Sequence, residues 1–452
     1  MSALDKALNY SKKVGINECE IVFIKKKTTT ARITDSRIVE IKHNFDEDYG
    51  IRVIHEKKIA SVRTTKPQEI EKTIDLALKS TSGVRPRNFW RGLPENIASN
   101  QLSGAYDEKL HKISAKETMD IAQIMINSAE NSKINTITGS LNIVSENFTI
   151  VNSNGLNVED NATYISGIIN AESEQSTIPV SGIGHVSSRT LKSFSPEQIG
   201  NEAQIMCTKS INPQKVDSGK YSIIFEPYSV GELLAFVVAS NFNFKTFTEK
   251  KSCFSNNFQE EIAVNQLNLI DDPHIPEGLG TKSFDDEGIK TQKIKLIENG
   301  IFKNTFSNLF DSYKEGKYST GNAIRIGSPM GRSSEPIPSC APHNIKINSG
   351  DRSQEEMIKN TSSGLLVGRL WYTYAVNPIK GDFSCTARSG IRIIKDGKII
   401  GPGKSVRIIH SLPKMLKNIS EIGNDQRNVI QWASLPSVTP SIKVEEITVN
   451  SI

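Results

Sequence analysis

Residues 225–244 read FEPYSVGELLAFVVASNFNF, and the predicted fold is organised around this stretch. An extended run, residues 221–225, leads into Pro227, which suits a turn or the first position of a helix. Ser229 suits an N-cap and Glu232 follows three residues later, which is the pattern of a capping box. Apolar residues follow with almost no polar interruption, in a run too short to span a bilayer. We predict a buried helix with neither His nor Cys, whose acid serves as a cap.

The composition is that of an ordinary soluble protein of two or three domains. Of 452 residues, 37% are hydrophobic and 23% are charged. The net charge of +5, from 55 basic and 50 acidic residues, is mild for this length and speaks against a nucleic-acid-binding surface. The five cysteines are far apart and form no CxxC pair, which indicates a reducing compartment. Because the sequence shows no signal core and no long apolar run, we predict a cytoplasmic protein without a membrane span.

The first half of the chain predicts an α+β domain of antiparallel strands and helices, residues 1–213. Within residues 1–85 a helix precedes several short strand-like runs and a second helix follows them. The runs are 20–27, 28–34, 37–43, 50–55 and 58–63. A similar order recurs in residues 110–213, where SPEQIGNEA echoes the earlier KPQEIEKTI. Two related halves explain this echo, although any α+β domain can offer one.

After residue 213 the chain becomes strand-rich, which predicts a second domain at residues 216–452. Asn299-Gly300 and Asp396-Gly397 are hairpin signals, each flanked by apolar residues. This pattern favours a barrel- or sandwich-like domain, so the predicted fold class is α+β.

A search for catalytic groups finds no preset constellation. No two of the seven histidines lie within two helical turns of each other, so the sequence offers no paired zinc ligands on one helix. Cys340 and Cys385 are the candidate thiol nucleophiles, and buried structural thiols are the alternative. Acids cluster at residues 271–272 and 285–287, where they could hold Ca²⁺ or Mg²⁺ or could form turns before Pro and Gly.

A long polar loop, residues 319–344, reads STGNAIRIGSPMGRSSEPIPSCAPHN. Long loops without regular structure are often functional. Arg325 lies between two isoleucines and could face a carboxylate of a partner or of a peptide end. An exposed loop without such a role is the alternative.

Taken in order, many short motifs resemble the TldD/PmbA family, also called modulators of DNA gyrase. Each motif alone is weak, but their number and order cover nearly the whole chain. They include GIRVIHEKKIASVRTT at 50–65, LLAFVVAS at 233–240, LIDDP at 269–273, GLGTKSFDDEGIKTQKIKLIENGIFKN at 278–304, TGNAIRI at 320–326 and NPIKGDFSCTARSGIRIIKDGKI at 377–399.

The resemblance implies two related kinds of subunit, and this chain is similar to the TldE/PmbA kind. TldD-like chains carry His-Glu-x-x-x-His on the helix after the interdomain junction, and a Cys near the C-terminus completes a zinc site. Here Ala235 and Phe236 stand where that motif would begin, and Ser240 stands at or near the second His position. Residues 428–442 contain no Cys. The resemblance therefore implies no catalytic residue, no metal ligand and no cofactor in this chain.

The function that the resemblance implies is that of a non-catalytic subunit. It would pair with a TldD-like chain, which would hold the zinc, in a cytoplasmic heterodimeric metalloprotease acting on unfolded or short peptides. From loop position and family motif we place Gly321, Asn322, Arg325 and Asp382 near the peptide chamber.

Two other functions stay open at this stage. One is an independent thiol-dependent hydrolase, and the other is a metal-free binding or regulatory protein. Without the TldD-like partner a homodimer is one assembly that the sequence leaves open, and we expect no contact with a membrane or with nucleic acid.

Overall fold

The computed structural model describes residues 3–97, 101–430 and 435–452, which form an α+β structure. The α-helices are α1 (Ala3–Lys13), α2 (Ile70–Ser80), α3 (Glu108–Lys112), α4 (Ala115–Ala129), α5 (Pro196–Thr208), α6 (Pro227–Leu233), α7 (Phe244–Thr248), α8 (Leu309–Lys314), α9 (Gln354–Lys359) and α10 (Leu412–Lys417). The first strands are β1 (Glu18–Thr34), β2 (Arg37–His55), β3 (Lys58–Thr64), β4 (Thr136–Asn152), β5 (Asn157–Ser173), β6 (Val180–Ser188) and β7 (Gly219–Phe225). The next are β8 (Leu269–Asp271), β9 (Ile294–Glu298), β10 (Ile301–Phe302), β11 (Ala323–Ile324), β12 (Ser339–Cys340), β13 (Ile345–Ile347) and β14 (Ser363–Asn377). The last are β15 (Asp382–Lys395), β16 (Lys398–Pro402), β17 (Val406–Ser411), β18 (Ile419–Ile422), β19 (Arg427–Val429), β20 (Ser437–Thr439) and β21 (Ile442–Ser451).

The N-terminal part is one antiparallel sheet of six strands in the order β3-β2-β1-β4-β5-β6. Helices α1 and α2 share an apolar core with β1 and β2, and helices α4 and α5 share another with β4 and β5. Each half of the sheet thus has its own helical layer, and β1 joins β4 between them. The boundaries 1–213 and 216–452 and the two predicted halves stay predictions.

The predicted breaks within the first strands are wrong. Residues 20–27 and 28–34 belong to one strand, β1, and residues 37–55 form another, β2. Three consecutive lysines interrupt the apolar pattern of β1, but the side chain of Lys26 is buried. Its ammonium donates to the main-chain oxygens of Met330 at 2.8 Å and Arg332 at 2.6 Å. The strand continues because a distant loop supplies the partners that this buried charge needs.

The C-terminal part contains a closed five-stranded barrel, as the strand-rich pattern predicted. Strands β14, β7, β21, β17 and β15 are hydrogen-bonded in that order, and β15 pairs again with β14. A second sheet has the order β10-β9-β8-β13-β20-β19, and β11 pairs with β12 nearby. No helix in the described ranges is long and apolar enough to cross a membrane.

The helix after β7 is buried, as predicted, but its predicted cap is wrong. The helix begins at Pro227, and Ser229 Oγ donates to the main-chain oxygens of Glu226 and Val367. Glu232 is buried and accepts the Leu370 amide at 2.7 Å. Burial raises the pKa of Glu232 to about 8.

The predicted capping acid is therefore a core residue. Glu232 lies 3.9 Å from the Nε atom of Arg369, and it attaches the helix to strand β14.

Candidate functional site

A π turn, Leu234–Val238, follows helix α6 and precedes the 3₁₀ turn Ala239–Phe242. In π geometry the hydrogen bonds join residues five apart, so the turn is wider than that of an α-helix. Ala235 and Ser240 have this spacing, and both line a cavity of about 320 Å³. Ala239 also lines the cavity, so this segment presents three small residues to it.

The cavity combines apolar walls with a charged side. Its lining includes Tyr164 from strand β5, the helix residues above and parts of the loop at residues 319–344. The apolar lining includes Leu279, Phe306, Ile324, Met330 and Leu435, and the charged lining consists of Lys282, Asp286, Arg325 and Arg332 among the described residues.

Buried ion pairs connect the N-terminal sheet to the chain segments around the cavity. Arg52 Nη1 lies 2.7 Å from Glu287, and its Nη2 lies 2.7 Å from Glu20. The second oxygen of Glu20 accepts Arg325 Nη2 at 2.7 Å. All four side chains are at most 3% exposed. The positive charges of the two arginines and the negative charges of the two acids thus compensate each other where the N-terminal sheet contacts the C-terminal part.

Arg332 makes a second connection to the N-terminal sheet. Its guanidinium donates to Asp160 at 2.6 Å and to Asp286 at 3.1 Å, and it lies over the ring of Phe148 at 4.7 Å. The Arg332 amide donates to Glu146 at 2.8 Å. The loop at residues 319–344 is therefore held by buried contacts, and the alternative of a merely exposed loop is not supported.

Two of the predicted chamber residues have purely internal partners. Arg325 donates through Nε to the main-chain oxygen of Asp286 at 2.8 Å and also contacts the main-chain oxygen of Glu335. With Glu20 as its ion-pair partner, its guanidinium is committed within the chain. Asn322 is buried and donates to Asp271 at 2.5 Å.

The other two lie in different places. Gly321 has a φ of +78°, and its main-chain oxygen accepts His343 Nε2 at 2.6 Å beside the cavity. Asp382 begins strand β15 opposite Ser411, and of the four assigned residues Arg325 alone is among those that line the cavity. The structure thus brings three of the four assigned residues together and leaves Asp382 apart, and their roles stay predictions.

The acidic clusters organise main-chain segments. Asp271 accepts the amides of His343 at 2.8 Å and Asn344 at 3.0 Å. Asp285 accepts the amides of Glu287 and Ile289, each at 2.9 Å. Burial raises the pKa of Asp271 to about 6. These contacts favour the turn interpretation over a cation site.

The two candidate thiols are held in the neutral form. Burial raises the pKa of Cys340 well above its ordinary value, and burial also raises the pKa of Cys385. The nearest hydrogen-bond acceptor of Cys340 is the main-chain oxygen of Phe306 at 3.8 Å. A thiol nucleophile needs the thiolate, so this geometry does not support a thiol-dependent hydrolase.

His343 makes the stability of the chain depend on pH. Burial lowers its pKa to about 3, because its Nδ1 would have to carry a proton where no hydrogen-bond partner lies. The histidine of the unfolded chain binds a proton below its pKa of about 6.5, whereas the buried histidine of the folded chain stays neutral. The free energy of unfolding is therefore highest above about pH 6.5 and falls as the pH is lowered. Between pH 7 and pH 5 the free energy of unfolding should fall by about 2 kcal/mol less in H343Q than in the parent chain. The glutamine amide can still donate to the main-chain oxygen of Gly321. Urea unfolding of both proteins at the two pH values measures this difference, and identical losses would contradict it.

Three family sequence models match the chain in order. They are PmbA/TldA metallopeptidase domain 1 at residues 19–81, the central domain at residues 108–205 and the C-terminal domain at residues 218–451. Among curated relatives, Metalloprotease PmbA of Escherichia coli O157:H7 is 24% identical over 434 residues, covering 92% of this chain and 90% of the relative. A protein named Metalloprotease from Methanothermobacter thermautotrophicus is 23% identical, covering 89% of this chain and 87% of the relative.

Solved structures share the fold. TldE from Thermococcus kodakarensis has a TM-score of 0.89 at 22% identity, with 99% of this chain and 100% of that chain covered. A putative modulator of DNA gyrase from Thermotoga maritima has a TM-score of 0.86 at 24% identity, with 99% of each chain covered.

Proposed function

The chain belongs to the TldD/PmbA metallopeptidase family, and we propose that it is a non-catalytic, TldE/PmbA-like subunit of a zinc metalloprotease. One observation carries the proposal. The helix that would bear the family's His-Glu-x-x-x-His motif presents Ala235 and Ser240 to the cavity, where that motif would place its two histidines.

The residues at this place do not fit a zinc ion. Zinc in proteins is bound by imidazole, thiolate and carboxylate groups. Ala235, Phe236 and Ser240 supply none of these, and no group of three or more His, Cys, Asp or Glu that could hold a metal occurs in residues 3–97, 101–430 and 435–452. The proposal therefore assigns the zinc to a TldD-like partner and no catalytic step to this chain.

The proposed role of this chain is to complete the peptide chamber of a heterodimer. Gly321, Asn322 and Arg325 support this role because they belong to the loop beside the cavity, and Asp382 keeps its proposed place from family motif alone. The buried ion pairs of Arg325 with Glu20 and of Arg332 with Asp160 attach that loop to the N-terminal sheet. A rigid wall of this kind suits a chamber that admits unfolded or short peptides and excludes folded proteins.

We place this assembly in the cytoplasm. All five cysteines are free in the structure, which suits a reducing compartment.

Reconstitution with a TldD-like chain tests the proposal. Peptidase activity and zinc should be found in the complex, and this chain alone should have neither. The matched control is the same complex with the Glu of the partner's motif changed to Gln, which should assemble, retain zinc and lose activity. The proposal fails if this chain alone binds one zinc ion and cleaves peptides, with loss on chelation. It also fails if the native assembly is a metal-free homodimer, which would favour the binding or regulatory function.

A further inference from the structure

The cavity beside Ala235 and Ser240 has more positive than negative charge on its walls. Its described lining holds the cations Lys282, Arg325 and Arg332 and one carboxylate, that of Asp286. Behind the lining, Arg325 pairs with Glu20 and Arg332 with Asp160. Asp286 Oδ1 is shared between Lys282 at 2.8 Å and Arg332 at 3.1 Å. One carboxylate oxygen of the lining therefore serves two cations, and Lys282 has no other carboxylate within ion-pair distance among the described residues.

We propose that this cavity binds a peptide by a carboxylate, holding the C-terminal residue without cleaving it. The inference rests on the proposed function for the choice of peptides as the ligand class. The site itself is argued from the unused hydrogen-bonding capacity around the cavity.

Two cations have donors to spare for a carboxylate. Arg332 is 4% exposed and its Nη1 has no hydrogen-bond partner, lying 3.9 Å from the nearest oxygen of Glu146. Lys282 has three donors, and among the described residues its ammonium contacts the single acceptor Asp286. A buried donor without a partner is costly, so an incoming carboxylate would find both groups ready to bind it.

His343 supplies a complementary acceptor. It lines the cavity and is 2% exposed. Because its Nε2 donates to the main-chain oxygen of Gly321, its unpartnered Nδ1 carries a lone pair and accepts a hydrogen bond. The amide N–H of a peptide's last residue satisfies such an acceptor, whereas a sulfate ion has no donor to offer.

The apolar walls select a peptide rather than a small ion. Phe306, Ile324, Met330 and Leu435 line the same cavity, whose volume of about 320 Å³ lies at the lower end for small-molecule pockets. An apolar side chain beside the carboxylate would cover these walls. The neutral thiol of Cys340 and the absence of metal ligands at residues 235, 236 and 240 leave nothing to attack the peptide.

The test measures peptide binding to the isolated chain. A fluorescein-labelled pentapeptide, Gly-Ala-Gly-Ala-Leu, is titrated by fluorescence anisotropy as the free acid and as the C-terminal amide. We expect the amide to bind about tenfold more weakly or worse, because it loses charge-assisted hydrogen bonds. A third peptide, Gly-Ala-Gly-Asp-Leu amide, distinguishes the source of the carboxylate. If this amide binds as well as the free acid, the site binds any carboxylate, and the proposal that it holds the C-terminal carboxylate of a peptide is overturned.

Two serine substitutions locate the binding site. Ser240 is exposed at the cavity wall, so S240W should fill the cavity and abolish binding of the free acid without disturbing the core. S82W is the matched control, because Ser82 is also exposed but lies outside the cavity lining. Unchanged melting temperatures in both variants show that each is folded. Equal binding of acid and amide, no binding of either, or full binding by S240W would overturn the inference.

The outcome is separable from that of the proposed function. Carboxylate-dependent binding without an active TldD-like complex would sink the subunit proposal and leave the site standing. An active complex whose isolated subunit binds no peptide would sink the site alone.

Discussion

Replacing Arg52 with methionine should lower the free energy of unfolding by about 3–5 kcal/mol. The Arg52 guanidinium lies between Glu20 and Glu287, at 2.7 Å from each, and all three side chains are buried. Methionine fills similar space, so the change removes the charge and leaves two buried carboxylates with less compensation. Urea unfolding followed by circular dichroism measures the effect.

The matched control is R352M. Arg352 is paired with Asp351 at 3.7 Å, but its side chain is 47% exposed, so removing its charge should cost at most about 0.5 kcal/mol. A cost for R52M as small as that of the control would show that the buried cluster does not hold the two parts of the chain together.

The R52M change should also loosen the loop at residues 319–344. Glu20 accepts hydrogen bonds from both Arg52 and Arg325. In R52M, Glu20 loses its contact with residue 52, so the carboxylate that holds Arg325 is itself less firmly held. We expect faster amide hydrogen exchange around Arg325 in R52M than in R352M.

Local patterns were enough to predict the barrel and the buried helix. Hairpin signals such as Asn299-Gly300 depend on main-chain conformations that neighbouring residues determine, and Asn299 and Gly300 both have positive φ. The continuous apolar run from Leu233 to Val238 likewise indicates burial wherever it lies.

Local patterns failed where a charge has its partner far away in sequence. Lys26 bonds to Arg332, 306 residues later, and Arg52 bonds to Glu287, 235 residues later. From local sequence alone, a lysine in a strand is expected to face solvent. Its burial becomes predictable when the distant loop that covers it is known. The capping box at Ser229 failed for the same reason, because Glu232 has a better partner in the amide of Leu370.

The candidate site was found by resemblance rather than by pattern. The motif comparison located Ala235 and Ser240, but the π turn that brings them to one face has no signal in this sequence. Arg325 was a candidate for facing a carboxylate of a partner or of a peptide end, and its ion-pair partner in the structure is the internal Glu20. Arg332, with its unpartnered Nη1, is the residue that sequence reasoning passed over.

The π turn predicts that a zinc site can be rebuilt with histidines five residues apart. The double variant A235H/S240H should bind zinc with a dissociation constant of roughly 10–100 μM, or about 6 kcal/mol, near half the free energy of a four-ligand site. Both positions line the cavity, so the imidazoles replace small side chains without entering the core. Zinc titration against a colorimetric chelator measures the affinity, and the parent chain should show no uptake at these positions.

The control variant tests whether the spacing of the two histidines, five residues rather than four, determines zinc binding. In a regular α-helix, histidines four residues apart share a face, so F236H/S240H is the pair that an α-helical segment would favour. Phe236 is half-buried against the apolar core and does not line the cavity, whereas Ser240 does. We expect A235H/S240H to bind zinc at least about tenfold more tightly than F236H/S240H, a difference of ~1.4 kcal/mol. Tighter binding by the four-residue pair would mean that the segment is α-helical in solution. Tighter binding by the five-residue pair would mean that this chain keeps the main-chain geometry of a metal site at which it has no ligands.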